Sequence, residues 1–425
     1  MSGGRQPVSV TGGSAGIAAD CAEMGMLAGR FGAAGKETAL SALALHGYLA
    51  SPGLVLSGFV DPLGFADFEA ELLAALDGWQ GLSWVAGECA GIDSELRLAA
   101  AAYRQVDQLS TDLQDLVAGG VSALPALAHA AAVLARTADP VHAAETVVAD
   151  DPELADVLVS VLGVPSLLHA AAAQLPDGHG VARGTGLDGT GVAGRPPRQL
   201  TDLLDDLAQR NGDGRHGEID VRILTLPDGA RRAIVDVTGT KSWDPLPTSD
   251  VTSLTTNGRA LVGESTAYEQ GVLAAMRRAG VRSTDDVMLV GHSEGGMVAV
   301  TAARDALAGG KFNVTHVITS GAPIGLTVSA LPSRVQVLAL ENERDVVPHL
   351  DGVANPDKPN VTTVSSMHGD GSIGGDHDID DSYVPLARDV EASRNRSIRD
   401  FLRSARGYFR ASTVETHTFQ INRAY

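Results

Sequence analysis

Aromatic residues make up only 4% of this 425-residue chain, and 32 basic residues face 52 acidic ones, for a net charge of −20. Single-stranded nucleic acid is gripped by aromatic platforms in a cationic groove, and duplex DNA by cations set against phosphates. Both shortages exclude nucleic acid as the expected partner. The same charge opposes an anionic bilayer surface, so membrane contact is not the favoured reading. Two cysteines, Cys21 and Cys89, are too few for a disulfide framework or a thiolate zinc site. Both lie in Ala/Gly-rich helical sequence and are expected to be buried free thiols. The opening MSGGRQPVSVTGGSAG has no compact apolar stretch, so a Sec-type leader is not expected. A phosphate loop, a GxGxxG fingerprint, zinc-ligand spacing and internal repeats are all missing, so no cofactor and no metal are expected. Three charge-free runs, 38–60, 116–135 and 157–175, are long enough to raise the question of a membrane span. Each carries a His and a Pro, and buried helical hairpins are the better expectation.

Hydrophobic residues are 44% of the chain, enough for a packed core. The composition changes near residue 176. Residues 1–175 hold six basic and 20 acidic side chains, a net −14, and are dominated by Ala and Leu. Apolar residues recur there at helical spacing, as in Phe68, Leu72, Leu73, Leu76 and Trp79. An all-α domain is expected over 1–175. Residues 176–198, with seven Gly and three Pro, suggest a flexible linker or a long exposed loop. From 199 to 425 strands and helices alternate. A helix over 199–210 is followed by strands at 219–226 and 230–237, joined through Asp228-Gly229 as a hairpin. Further strands are expected at 287–290, 315–320, 335–340 and 361–366, with helices near 264–279, after Ser293, and over 386–409. This is an α/β class with a mostly parallel sheet.

The sharpest chemical signal is VMLVGHSEGGMVAV, residues 287–300. Gly291-His292-Ser293-Glu294-Gly295 fits G-x-S-x-G, and it lies where a nucleophile elbow must lie, between an apolar strand and a small-residue helix. Gly291 and Gly295 would relieve crowding at a tight turn, and the helix N-terminus would favour developing negative charge at Ser293. Here residues 200–410 resemble the α/β-hydrolase superfamily. The resemblance implies an α/β-hydrolase fold and a Ser, Asp, His order along the chain. Asp345, opening Asp-Val-Val-Pro after a late strand, resembles the esterase and lipase acid, with Glu341, Glu343 and Asp351 as competitors. The base is His377 or His368. His377 has the longer glycine-rich approach, and Tyr383 follows it as similar esterases carry a Tyr where the final helix begins. His292 fills a variable elbow position, where an exposed or packed role is the default. The oxyanion hole would use the backbone N–H of Glu294 and of Thr240, with Gly239 or Lys241 as alternatives. The Thr238-Gly239-Thr240 turn before Trp243 is similar to the hole-forming segment of actinobacterial serine hydrolases, including those fused to PE and PPE proteins. Asp376, Asp378 and Asp380 open like a calcium loop, but Asp381 and Ala387 occupy its required Gly and Glu positions, so a solvated acidic loop is expected.

In the first half, Trp79-x-Gly81 and Tyr103-x-x-x-Asp107 resemble the WXG-type helical hairpins of type VII secretion substrates, within about 60–120. That resemblance implies export to the envelope or beyond by a non-Sec route, and a small helical partner or export machinery; a cytoplasmic protein is the alternative. Phe59, Phe65, Phe68, Trp79 and Trp84 are expected to pack helices together. The expected function is a serine esterase or lipase that cleaves acyl or lipid esters through an acyl-enzyme. The alternatives are a secreted helical interaction protein on a non-catalytic hydrolase scaffold, or a thioesterase or peptidase using the same three residues.

Overall fold

The computed structural model describes residues 6–49, 51–54, 62–97, 100, 169–170, 172–185, 191–212, 214–242 and 248–425. Two compact units divide the chain: residues 17–111, and residues 1–16 together with 112–425.

The smaller unit contains α1 (Ile17–Leu49), α2 (Pro62–Asp77) and α3 (residues 82–97). Helix α1 meets both others. His46 Nε2 lies 2.8 Å from Asp77 Oδ2 at the end of α2. A Cβ on Gly35 would come within 3.1 Å of the Ala86 carbonyl and the Cys89 side chain of α3, so a small residue lets the two backbones approach. The apolar stripe of α2 is only partly buried. Leu76 is enclosed, but Phe68 is 46% and Trp79 82% exposed, against the expectation of helix packing. A helix that is apolar on more than one face cannot turn all of it inward in a hairpin. Cys21 is buried, Cys89 is only partly so, and both are free thiols. Among the described residues no helix is long and apolar enough to cross a membrane. The run 116–135 and most of 157–175 lie outside the described residues.

The larger unit is built on a ten-stranded sheet of order β1-β9-β8-β7-β6-β5-β4-β10-β2, with β3 also paired to β10. Its centre is parallel: β5 (Arg231–Val237), β6 (Asp286–His292), β7 (Asn313–Ser320), β8 (Gln336–Asn342) and β9 (Val361–Ser366). Its flanks are antiparallel. The Asp228-Gly229 hairpin joins β4 (Glu218–Thr225) to β5, with Gly229 at φ 84°. Strand β10 (Thr413–Ala424) lies against β4.

Three expectations about the chain's organisation are corrected here. Residues 176–198 are not a linker, because they supply β2 (His179–Gly184) and β3 (Val192–Gly194), both paired to β10. Gly180 serves packing: a Cβ there would sit 1.7 Å from the Ala267 carbonyl. Nor are residues 1–175 wholly helical. Strand β1 (Ser9–Gly12) pairs antiparallel with β9 and closes the far edge of the sheet. The helix expected over 386–409 is two, α8 (Val384–Ala392) and α9 (Arg396–Ser404). The break comes where the Asn395 side chain accepts the Ser397 N–H at 2.9 Å and caps a new helix.

The parallel strands are buried on both faces, which is why they read as near-continuous apolar runs. Val287 and Leu289 of β6 face a core shared with α6 (Ala267–Arg278) and α7 (Glu294–Ala308). Met288 and Val290 face the opposite core, shared with α4 (Leu200–Arg210), α8 and α9. One polar exception, Asp236 of β5, is paired across to β4. Arg222 of β4 donates to Asp236 of β5 at 2.6 Å, and burial pushes the Asp236 carboxyl up to about 7. Strand β6 lies between β5 and β7, so its carboxyl end opens at mid-sheet, where ligands of open α/β sheets bind.

Candidate active site

Ser293 follows β6 and precedes α7 with φ 55° and ψ −126°. Among the described residues only Gln80, in the turn after α2, shares a positive φ without being glycine. Such a conformation costs on the order of 1–3 kcal/mol and persists only where its surroundings enforce it. The surroundings are specific. A Cβ on Gly291 would lie 2.2 Å from the Gly295 carbonyl, and one on Gly295 would lie 2.1 Å from the Val237 carbonyl of β5. The Ser293 N–H is held by the Ser320 carbonyl of β7 at 2.9 Å. The bend is therefore wedged between two neighbouring strands. Gly295→Ala is expected to cost about 3 kcal/mol or more, since backbone and not a movable side chain meets the new methyl. Thermal unfolding of the variant checks this.

The sheet brings the expected acid and base together. Asp345 follows β8 and is 1% exposed. His377 ends a short helical turn, Ile373–His377, in the loop after β9. Its Nδ1 lies 2.6 Å from Asp345 Oδ2. That carboxylate is held from two more directions. Its Oδ1 accepts the Val347 N–H at 2.9 Å, and its Oδ2 accepts the Tyr383 hydroxyl at 2.5 Å. Burial and the adjacent Asp345 charge hold the Tyr383 phenol well above its ordinary range, so it remains a donor. Gly321, at φ 61°, leaves room for this contact: a Cβ there would reach 2.8 Å from the Tyr383 hydroxyl.

His368, the alternative base, is engaged elsewhere. Its Nε2 lies 2.9 Å from Asp389 Oδ2, and its backbone N–H and carbonyl are bound by Asn342. Of the competing acids, Glu341 Oε1 accepts from the Asn355 amide at 2.6 Å, and Asp351 accepts the backbone N–H of Leu326 and Val353. Glu343 is displaced from the role by Asp345, at which His377 Nδ1 points.

Two organising residues escaped the sequence reading. Asn342, at the end of β8, donates its amide to the Asp376 carbonyl at 2.7 Å and accepts the His368 N–H at 3.0 Å, fastening the base loop to the acid strand. His292, for which an exposed or packed role is the default expectation, donates its Nε2–H to the His377 carbonyl at 2.9 Å, with the two rings 4.6 Å apart. Burial and the neighbouring His377 push the His292 imidazole well below its ordinary range, so it stays neutral. Being adjacent to Ser293, it couples the elbow to the base loop. No hydrogen bond joins the Ser293 hydroxyl to His377 among the described contacts; nucleophile–base contacts of this kind tighten when substrate binds.

The loop after β5 lies against the elbow, where a Cβ on Gly239 would be 3.1 Å from Ser293 Cβ. The three candidate donors in it separate by their partners. The Gly239 N–H goes to Asn211 Oδ1 at 3.0 Å, and the Lys241 N–H to the Thr252 carbonyl at 3.1 Å. Among the described residues neither the Thr240 nor the Glu294 N–H has a backbone or side-chain acceptor. Both remain available to a developing oxyanion. Trp243, beyond this loop, lies outside the described residues.

The acidic loop behaves as local capping. Asp378 accepts the N–H groups of Asp380 and Asp381, and Asp376 accepts that of Gly371. No cluster of metal-ligating side chains occurs among the described residues. In the smaller unit, Trp79-x-Gly81 occupies the turn between α2 and α3, with the Trp79 and Trp84 rings 5.4 Å apart. Tyr103 and Asp107 lie outside the described residues.

Comparison with protein-family models, with curated proteins and with solved structures gives no match.

Proposed function

We propose that the larger unit has an α/β-hydrolase fold and is a serine hydrolase of carboxylic esters, of the lipid or acyl type. The observation that carries the reading is the junction at His292. A strained Ser293 is the next residue to a neutral imidazole packed on His377, and His377 is paired with buried Asp345 at 2.6 Å. In the mechanism, His377 takes the Ser293 proton through Nε2 while Nδ1–H stays on Asp345, and Ser293 Oγ attacks the ester carbonyl. The N–H groups of Thr240 and Glu294 stabilise the oxyanion. His377 returns the proton to the departing alcohol, and water activated by the same imidazole releases the acid.

The test is labelling with a fluorophosphonate probe, followed by a p-nitrophenyl ester series of increasing acyl length set against thioester and peptide substrates. Labelling mapped to Ser293, with ester turnover exceeding the rest, is expected. No labelling of the intact wild type would remove the reading. A rival with its own observation is a secreted helical interaction protein on a non-catalytic scaffold, favoured by the exposed Trp79 in the turn between two helices. Co-purification with a small helical partner, together with absence of turnover, would select it.

A further inference from the structure

Glu294 is the first residue of α7, a position where an acidic side chain ordinarily faces water and the helix dipole. Here it is turned inward and is 1% exposed. Its Oε1 accepts the Ser253 N–H at 3.3 Å. Its Oε2 is buried without a hydrogen bond inside the usual distance, and the Thr240 side chain is the group beside it. Thr240 is in turn paired through its hydroxyl with the Asn257 amide at 2.9 Å, on α5 (Leu254–Ala260).

We propose that the Glu294 side chain is a positioning residue that clips the Thr240 loop and the Ser253 shelf to the elbow, and so sets the separation of the two oxyanion donors. The inference rests on the serine-hydrolase reading and adds a role for a side chain whose backbone alone that reading uses.

The clip needs two polar contacts. One carboxyl oxygen accepts the Ser253 N–H, and the Thr240 hydroxyl, which receives the Asn257 amide, can give its own proton to the carboxyl group. The environment favours the neutral form. Burial pushes the Glu294 carboxyl well above its ordinary 4.5, and Thr240, Ser253 and Arg423 offset this only in part. The charged and titratable groups around it are Asp250, which opposes ionisation, Arg423 of β10, which favours it, and the phenol of Tyr268 on α6. Arg423 does not neutralise Glu294 by direct contact. Its guanidinium is committed to the carbonyls of Thr248 and Asp250 and to the hydroxyls of Ser253 and Thr256.

The experiment compares wild type, E294Q and E294A in the full chain on one p-nitrophenyl ester, after fluorophosphonate labelling of each. E294Q keeps an acceptor for Ser253 and a polar group facing Thr240, so its kcat should fall at least about fivefold less than that of E294A. E294A should lose kcat by about 10–100-fold with KM changed less than threefold, the signature of a misplaced donor and not of lost ground-state binding. Thermal unfolding of E294Q controls for folding. If wild type is labelled but E294Q loses as much kcat as E294A, or E294A keeps wild-type kcat, the positioning role is overturned while the hydrolase reading stands. If wild type is neither labelled nor active, both fall.

Discussion

Ser293→Ala is expected to lower ester kcat by about 10⁶-fold and to abolish fluorophosphonate labelling, and His377→Ala is expected to cost nearly as much. The double variant should be no slower than either single one, because nucleophile and base act as one unit and each is useless without the other. Asp345→Asn should cost about 10⁴-fold with the fold intact, since an amide beside Nδ1 no longer enforces the tautomer that leaves Nε2 free to accept a proton. His368→Ala provides the contrast. Its ring faces Asp389 at 2.9 Å, so turnover should stay within tenfold of wild type. Steady-state kinetics on one ester, with circular dichroism of each variant, measures all five. A loss at His368 equal to that at His377 would reassign the base. Survival of activity in Ser293→Ala would end the nucleophile assignment.

Arg423→Met is expected to destabilise the larger unit by about 3–5 kcal/mol, the range for removing one partner of a buried charged network. Arg423 has a fully enclosed side chain. Its Nε donates to Asp177 Oδ1 at 2.8 Å, and Asp177 Oδ2 accepts the Ala267 N–H at the start of α6 at 2.6 Å. Its other nitrogens hold the 248–256 segment. Methionine fills the volume but removes the cation paired with Asp177 and leaves several acceptors without donors. Combining Arg423→Met with Asp177→Asn should recover at least about 1 kcal/mol relative to the sum of the single changes, because no lone buried charge remains. Urea unfolding followed by circular dichroism tests this. Strict additivity would show that the two side chains do not depend on each other.

The parts of this protein that local physics dictates were legible in the chain. An apolar run flanked by glycine and turn residues forms a strand whatever its partners, and β4 to β9 appear within a residue or two of where periodicity puts them. The bend at Ser293 was legible for the same reason: Gly291 and Gly295 are needed by clashes with near backbone. The Asp345 and His377 positions could be narrowed because each follows a recognisable strand, although only coordinates separate His377 from His368 or Thr240 from its neighbours.

What the sequence by itself determined is the set of buried parallel strands, the tight turn after β6 and the order of the polar residues on the loops beyond. Tertiary structure alone decided the rest. Strands β1, β2, β3 and β10 are edge or near-edge elements whose order comes from backbone pairing with distant segments, so their own side-chain pattern is weak. The clamps of Asn342, Tyr383, Arg423 and the Glu294 carboxyl join residues between 34 and 246 positions apart. No local pattern encodes such contacts, because a buried polar group acquires its partner only when the sheet has closed around it.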